Sequence, residues 1–443
     1  MRRHRVVFAA VLVACTLALV HGFVTSPTSA ALDSYERQAS LAPDEREQVV
    51  PPRENVTVVA GHGAEGESAA LVAFDADGEV LYYNDSHQGY FDVDSTDEGR
   101  TTVEYTAERA YESPHCNAKC TVSVVERVNL TTGELTRIHS EIIPQDRGAN
   151  WHDVDRVGDS ELLVGDIHRD GMYVVNTTAD LKTWEWSAKT DFPLSGGGEY
   201  PADWSHLNDV EALDDGRYMT SLRNQDAVAF VDPETGLEEN WTLGSDGEYG
   251  VLYEQHNPDY IPEERGGPAV IVADSLNDRL VEYRRENGEW KESWVWSDEE
   301  MLWPRDADRL PNGHTLVADT NAHRVVEVDE SGEVVWSIDA YSPYDVERLG
   351  TGDESAGGPS AEAANLDSRH TGQNLGADET LEIAGFTPRK IINSISFVLP
   401  VWMGFGHVAI GVVGGVTAFA WFVVELRASS VAVSLRWPIR FSR

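Results

Sequence analysis

Four stretches fall into one register: HDVDRVGDSELLVGD (152–166), NDVEALDDGRYMTSL (208–222), HNPDYIPEERGGPAVIVAD (256–274) and RDADRLPNGHTLVAD (305–319). The third differs by four extra residues in its turn. Each continues into a second apolar run (MYVVN, AVAFVD, LVEYR, RVVEVD) and a third at or near tryptophan (WEWS, NWTL, WVWS, VVWSI). Short β-branched and aromatic runs between Gly, Asp and Asn turns read as strands. The unit starts, 152, 208, 256 and 305, lie 56, 48 and 49 residues apart. That spacing, with three or four strands per unit, is the period of propeller blades.

Two more degenerate units fit upstream, at 56–84 and 90–143, where Phe91-Asp92 takes the unit-start position. The expected fold is therefore all-β: a six-bladed β-propeller over 50–349, closed by an N-terminal strand that completes the last blade and removes the free edge. The third-strand tryptophans recur with the structural period and read as blade packing. Residues 351–385 are rich in Gly, Ser, Ala and acids, so 350–390 reads as a flexible linker.

The chain ends carry membrane signals. MRRHR precedes an apolar run at 6–20, which makes 1–30 a signal peptide or N-terminal membrane anchor. Leu12-Val13-Ala14-Cys15 also resembles a lipobox, in which the cysteine is lipidated after cleavage. A second apolar run, 399–424, is long enough to span a hydrocarbon core of ~30 Å. It places a transmembrane helix at 391–426 and a short basic cytoplasmic tail at 427–443. Arginines outside both runs put both ends in the cytoplasm and the propeller on the extracellular face of the cell membrane. Five sequons, at Asn55, Asn84, Asn129, Asn176 and Asn240, all fall in the middle segment and are glycosylation candidates of an exported domain.

With 34 basic and 76 acidic residues the formal charge is −42, and only five of the basic residues are lysine. Such a surface repels nucleic acid and anionic membranes. It reads as salt-adapted, since in multimolar salt a Debye length of about 3 Å or less screens dense carboxylates. An anionic substrate then needs a locally basic site inside this acidic shell. Cys116 and Cys120 are four residues apart, close enough for a small disulfide loop; zinc with His115 beside them lacks an evident fourth ligand.

The unit start opens the innermost strand, whose end faces the central channel. In repeat order this column reads Phe91, His152, Asn208, His256, Arg305, and the next reads Asp92, Asp153, Asp209, Asn257, Asp306. A near-constant Asp column has a structural explanation, a turn carboxylate bonding backbone amides. The first column changes identity from blade to blade, as a functional ring on a pseudo-symmetric scaffold does. His206, two residues before Asn208, and Arg223, in the turn after that blade's next strand, join it. Imidazoles, guanidinium and amide make a basic cup suited to a tetrahedral anion. Arg305 is a substrate-binding candidate that also has acidic neighbours to pair with. His62, His87, His168, His314 and His323 lack this registration, and His370 lies in the linker; all six read as structural or solvated.

These residues resemble the arylsulfate sulfotransferase family, exported propeller enzymes that do not use phosphoadenylyl sulfate. The resemblance rests on HLNDVEALDDGRYMTSLRNQDAVAFVDPETGLEENWTLG (206–244), QHNPDYI (255–261) and VIVADSLNDRLVEY (270–283), and covers roughly 152–339. It implies that His256, in the Gln-His pair, is the nucleophile, with His206, Asn208, Arg223 and His152 as further catalytic residues. Three features depart from the family pattern: Ser-Leu-Arg where Ser-Ser-Arg is common, the early cysteine pair, and the C-terminal membrane helix.

The implied reaction moves a sulfuryl group from an aryl sulfate to a phenol or other hydroxyl through a sulfohistidine. It requires no metal or other cofactor, and no Gly-rich phosphate loop precedes a helix, which argues against a nucleotide donor. Two other readings compete. One is a non-catalytic surface propeller that binds a glycan or protein; convergence of His152, His206, His256 and Arg223 on one pore separates the enzyme from it. The other, a quinone-dependent dehydrogenase, lacks a calcium-ligand set or vicinal cysteines in this reading.

Overall fold

The computed structural model describes residues 3–428 apart from 64–68, 97, 113, 115, 117–119, 145–149, 353–356 and 372–387. It divides into two units, one of terminal helices (1–30 and 399–443) and one spanning 31–398. The second unit is the six-bladed propeller. Numbered from the seam, blade one opens on the inner strand Pro343–Arg348 and blades two to six on Gly89–Ser95, Trp151–Gly158, Leu207–Ala212, His256–Ile261 and Pro304–Arg309, all six sheets being antiparallel within these blades.

Closure uses more of the N-terminus than expected. The last inner strand, Pro343–Arg348, pairs with Thr57–Gly61, which is followed outward by Leu71–Phe74 and Val80–Asn84. The upstream unit has three strands and no inner one; PYDVER at 343–348 supplies it and starts a sixth register, with Tyr344 in the His152 position. Both ends of the propeller are thus hydrogen-bonded into one sheet, and no blade edge is left open at the seam.

In all six blades the ladder slips at the inner strand's channel position, for example between Trp151 and Val154 and between His256 and Asp259. Such bulges re-aim side chains, which explains how adjacent residues can both serve the axis. The Asp column then works as expected of a structural position. Asp92, Asp153, Asp306 and Asp345 accept backbone N–H bonds from Val154, Val210, Val346 and Val93 of the following blade, at 3.3, 2.6, 3.1 and 2.6 Å. Two residues on, a second acidic level repeats the device: Asp155 accepts from Ala212 and Glu211 from Tyr260. The tryptophans also latch neighbours: the indole N–H of Trp184 reaches the Pro233 carbonyl, Trp290 that of Trp241, and Trp336 that of Pro51.

The expected linker is partly ordered against blade five. Arg369–His370 adds a parallel strand to Glu289–Ser297, and Ala361 N–H bonds the buried Glu282 carboxylate. His370, read as solvated, bonds Ser297 Oγ at 2.8 Å while remaining exposed. The physical reason is the outer strand edge, which has unpaired backbone groups to offer. The single helix expected at 391–426 is two helices, Pro388–Val398 in the propeller unit and Phe405–Ala428 in the terminal unit. Pro400, which has no backbone N–H to donate, and Gly404 lie in the break.

In the terminal unit, the apolar helical stretch beginning at Arg3 and the helix Phe405–Ala428 are each long and apolar enough to cross a membrane. Phe8 stacks on Trp421 at 6.0 Å, and Arg5 pairs with Glu425. Cys116 and Cys120 form the expected disulfide, with Cα atoms 5.8 Å apart; His115 lies outside the described residues. Among the sequons, Asn55 and Asn240 are exposed.

Candidate active site

The column residues meet at one end of the channel. His152 stacks on Phe91 at 4.5 Å and meets the His206 ring edge-on at 5.3 Å. The Tyr344 ring stands 5.2 Å from His152 and 5.9 Å from His256, and its hydroxyl bonds His152 Nδ1 at 2.8 Å. The Arg305 guanidinium lies 4.7 Å from the Tyr344 ring centroid. Asn208 and Gln255 are fully buried between blades four and five, Asn208 Nδ2 donating to the Gln255 carbonyl at 3.0 Å. Arg223 lies 3.5 Å from Asp203, the carboxylate that His206 also meets, so all six sequence-derived site residues belong to one cluster.

Backbone geometry helps to aim them. His206, Glu254, Trp303 and Ser342, each two residues before a column position, have φ of 45°, 45°, 55° and 40°. Four non-glycine residues in the left-handed region at the same repeat position mark a built turn, because that region is costly outside glycine.

His256 is held by acceptors. Its Nδ1 lies 2.8 Å from Ser275 Oγ and 3.2 Å from the Glu254 carbonyl, and Ser275 Oγ itself donates to the Ala273 carbonyl. Nδ1 thus carries the hydrogen and the lone pair is on Nε2. Gln255 fixes the strand beneath, donating to Ser221 Oγ and the Ala227 carbonyl. Burial pushes the His256 imidazole well below the ordinary histidine range, and Arg305 and Arg223 add to this. His152 is lowered likewise, by burial and then by His206.

His206 has a different partner. Its Nδ1 faces both oxygens of Asp203 at 2.8 and 2.9 Å. Burial lowers its pKa and Arg223 adds to that, while Asp203 opposes them. Burial raises the Asp203 carboxyl, but His206 and Arg223 overcome this and hold it below the usual carboxylate range. Burial brings Arg305 down to about 10, still cationic near neutral pH.

Several residues here escaped the sequence reading. Tyr344 was legible, since SPYDVERLG repeats the unit-start pattern. His62 was set aside as unregistered, yet its ring lies 4.7 Å from Phe91 and 6.0 Å from Phe397, and its Nδ1 is 3.4 Å from Arg305. It sits just past the strand Thr57–Gly61, where no repeat signal reaches it. Burial lowers its pKa to about 3. Phe397 comes from the helix Pro388–Val398, which is tied to the propeller by Lys390–Glu254, Arg389 to the Asn277 carbonyl, and Asn393 to Asp278. With Trp303, 5.7 Å away, Phe397 makes an aromatic wall beside Arg305.

Fold and cluster together define a propeller with an imidazole- and guanidinium-lined axial site. Residues 51–265 match the family model described as Arylsulfotransferase (ASST), which bears out the resemblance read from the sequence and supports aryl sulfotransferase activity on this fold. The match begins further upstream and ends earlier than the stretch 152–339, leaving Arg305 and Tyr344 outside it. No curated protein matches the chain by sequence. Solved structures similar to it include a protein of unknown function from Bacteroides caccae, at 13% identity, covering 66% of this chain and 97% of that one, with a TM-score of 0.45. Another is the periplasmic gluconolactonase PpgL of Pseudomonas aeruginosa, at 15% identity, 67% and 99% coverage and a TM-score of 0.45. A virginiamycin B lyase from Staphylococcus aureus matches at 12% identity, 58% and 71% coverage and a TM-score of 0.37.

Proposed function

We propose that the protein transfers a sulfuryl group from an aryl sulfate ester to a phenol or other hydroxyl through a sulfohistidine on His256. The observation that carries this reading is the His256 anchor: Nδ1 bonded to Ser275 and the Glu254 carbonyl, with the ring near Tyr344 and Trp303. A neutral, oriented imidazole is the nucleophile this chemistry needs.

In the first half-reaction Nε2 forms a bond to sulfur and the sulfur–aryloxide bond breaks. His206, protonated once the anionic ester is bound and supported by Asp203, gives its proton to the leaving phenolate. In the second, the acceptor hydroxyl loses its proton to His206, its oxygen bonds sulfur, and the sulfur–Nε2 bond breaks. Arg223 and Arg305 balance the sulfuryl charge, and the second hydrogen on Asn208 Nδ2 is available to one of its oxygens. Tyr344 sets the orientation of His152 beside them. Export to the extracellular face, through the terminal helices, belongs to the same reading.

The test uses 4-nitrophenyl sulfate as donor and phenol as acceptor. His256→Asn is expected to lose nitrophenol release by at least ~10³-fold while keeping its melting temperature, and wild type is expected to yield an acid-labile sulfated peptide containing His256. Full turnover in the variant would sink the assignment.

A further inference from the structure

The chemistry above uses the imidazole level of the channel and leaves the acidic levels beneath it with no role beyond latching blades. That latching fails at two successive members of the Asp column. For the blade-four member of the Asp column, Asp209, the residue of blade five equivalent to Val210 is Pro258, which has no N–H to donate. Asp209 is 4% exposed and its Oδ2 has no partner among the described residues. The next member is Asn257, whose Oδ1 is likewise buried without a partner. Two oxygen acceptors are thus orphaned side by side, and a buried acceptor left unmade costs about 1–3 kcal/mol.

Beside this gap, on the inner strands His256–Ile261 and Pro304–Arg309, lie three further carboxylates. Asp259, Asp306 and Asp308 are buried and place one oxygen each within 4.8 Å of the other two. All five side chains line one space of ≈ 20 Å³, which five other acidic residues and His152 also line, with room for about one water-sized sphere. Burial first, and then repulsion led by Asp153 for Asp209 and by Asp345 for Asp306, pushes both well above the usual carboxylate range. Arg309 and Arg265, the nearby guanidiniums, act on Asp259 from the outside, but neither lines the space.

We propose that this space is a cation site for a divalent, oxygen-seeking metal, calcium in the first instance, ligated by Asp259, Asp306 and Asp308 with Asp209 Oδ2 and Asn257 Oδ1. Calcium takes six to eight oxygens at about 2.3–2.6 Å, so two ligand oxygens on one ion lie at most about 5 Å apart, as the three carboxylates do. A protein cage of carboxylates and one amide carbonyl suits calcium better than magnesium, which holds several waters. Such a site departs from the sequence expectation of no metal, and its ligand set is scattered over three blades, where no local spacing in the sequence announces it. The ion is no party to sulfuryl transfer. It joins the residues immediately after Asn208 and His256, and so fixes the floor on which both stand.

The experiment takes the full chain in detergent, stripped with EGTA, at constant high KCl so that weak binding to surface carboxylates is swamped. Calorimetry with CaCl2 is expected to show one saturable site per chain, at least ~10-fold tighter than for MgCl2, and a melting temperature raised by ~5 °C at a hundredfold excess over Kd. Asp308→Asn and Asp259→Asn are expected to remove the site, and the exposed control Glu289→Gln to keep it. In EGTA both Asn variants should melt no lower than wild type, because a repelling carboxylate has gone; this separates a lost ligand from a damaged fold. Absence of a saturable site, or its survival in both Asn variants, overturns the proposal, and equal magnesium affinity overturns the calcium assignment. None of these readings depends on sulfuryl transfer, so the two proposals fail separately.

Discussion

At the scale of single residues the site separates a nucleophile from an acid–base group by what each Nδ1 touches. Neutral acceptors hold His256, whereas His206 has a carboxylate that stabilises its cation. Asp203→Asn should therefore act on leaving-group protonation. It is expected to slow turnover of phenyl sulfate by ~10²-fold and that of 4-nitrophenyl sulfate far less, since nitrophenolate leaves without a proton. Equal losses on both donors would assign Asp203 to folding or binding instead. The sequence exposed His206, His256, His152, Asn208, Arg223 and Arg305 because the repeat register puts five of these six on one column or beside it, and a family-like turn marks the sixth. It hid Asp203 and Ser275, because each acts from a loop or strand end whose side-chain direction depends on the fold.

At the scale of elements, repetition made the blades legible and its absence concealed the rest. The helix Pro388–Val398 lies in a stretch read as linker and membrane span, and nothing in a repeat predicts that Phe397 will stand beside Arg305 and Trp303. Its position makes it a wall for the aryl group. Phe397→Ala is expected to raise KM for 4-nitrophenyl sulfate ~10-fold with kcat changed less than threefold, since an aromatic contact of about 1–1.5 kcal/mol is lost before the chemical step. A fall in kcat at constant KM would place the residue elsewhere in the cycle. The interblade latches give a second, structural expectation. Asp153→Ala leaves the Val210 N–H buried without its 2.6 Å partner and should cost about 1–3 kcal/mol, whereas Asp209→Ala in EGTA removes no such bond and should cost less. Thermal melts of the two variants side by side decide this.

At the scale of the whole molecule, the −42 surface and the basic cup are solutions to one problem, holding an anion inside an acidic protein. Burial keeps His62, His152 and His256 neutral beside the cationic Arg305, and buried histidines and carboxyls together give stability a pH dependence with two opposing parts. Burial lowers His62 to about 3 and His323 to about 4, so between these values and the unfolded value of about 6.5 the unfolded chain binds more protons. Their contribution is complete above pH ~6.5 and is lost as pH falls. Burial raises Asp226 and Asp319 to about 7; there the folded state binds more protons, and stability is lost as pH rises from about 4 toward 7. The two sets therefore pull the profile in opposite directions between pH 4 and 7. His323→Gln removes one histidine from the first set and keeps the second, so unfolding free energies at pH 4.5, 5.5 and 6.5 should show stability falling more steeply with rising pH in the variant than in wild type. Parallel profiles would mean that His323 titrates alike in folded and unfolded chains, and that its stacking against Tyr341 at 5.6 Å does not keep it neutral.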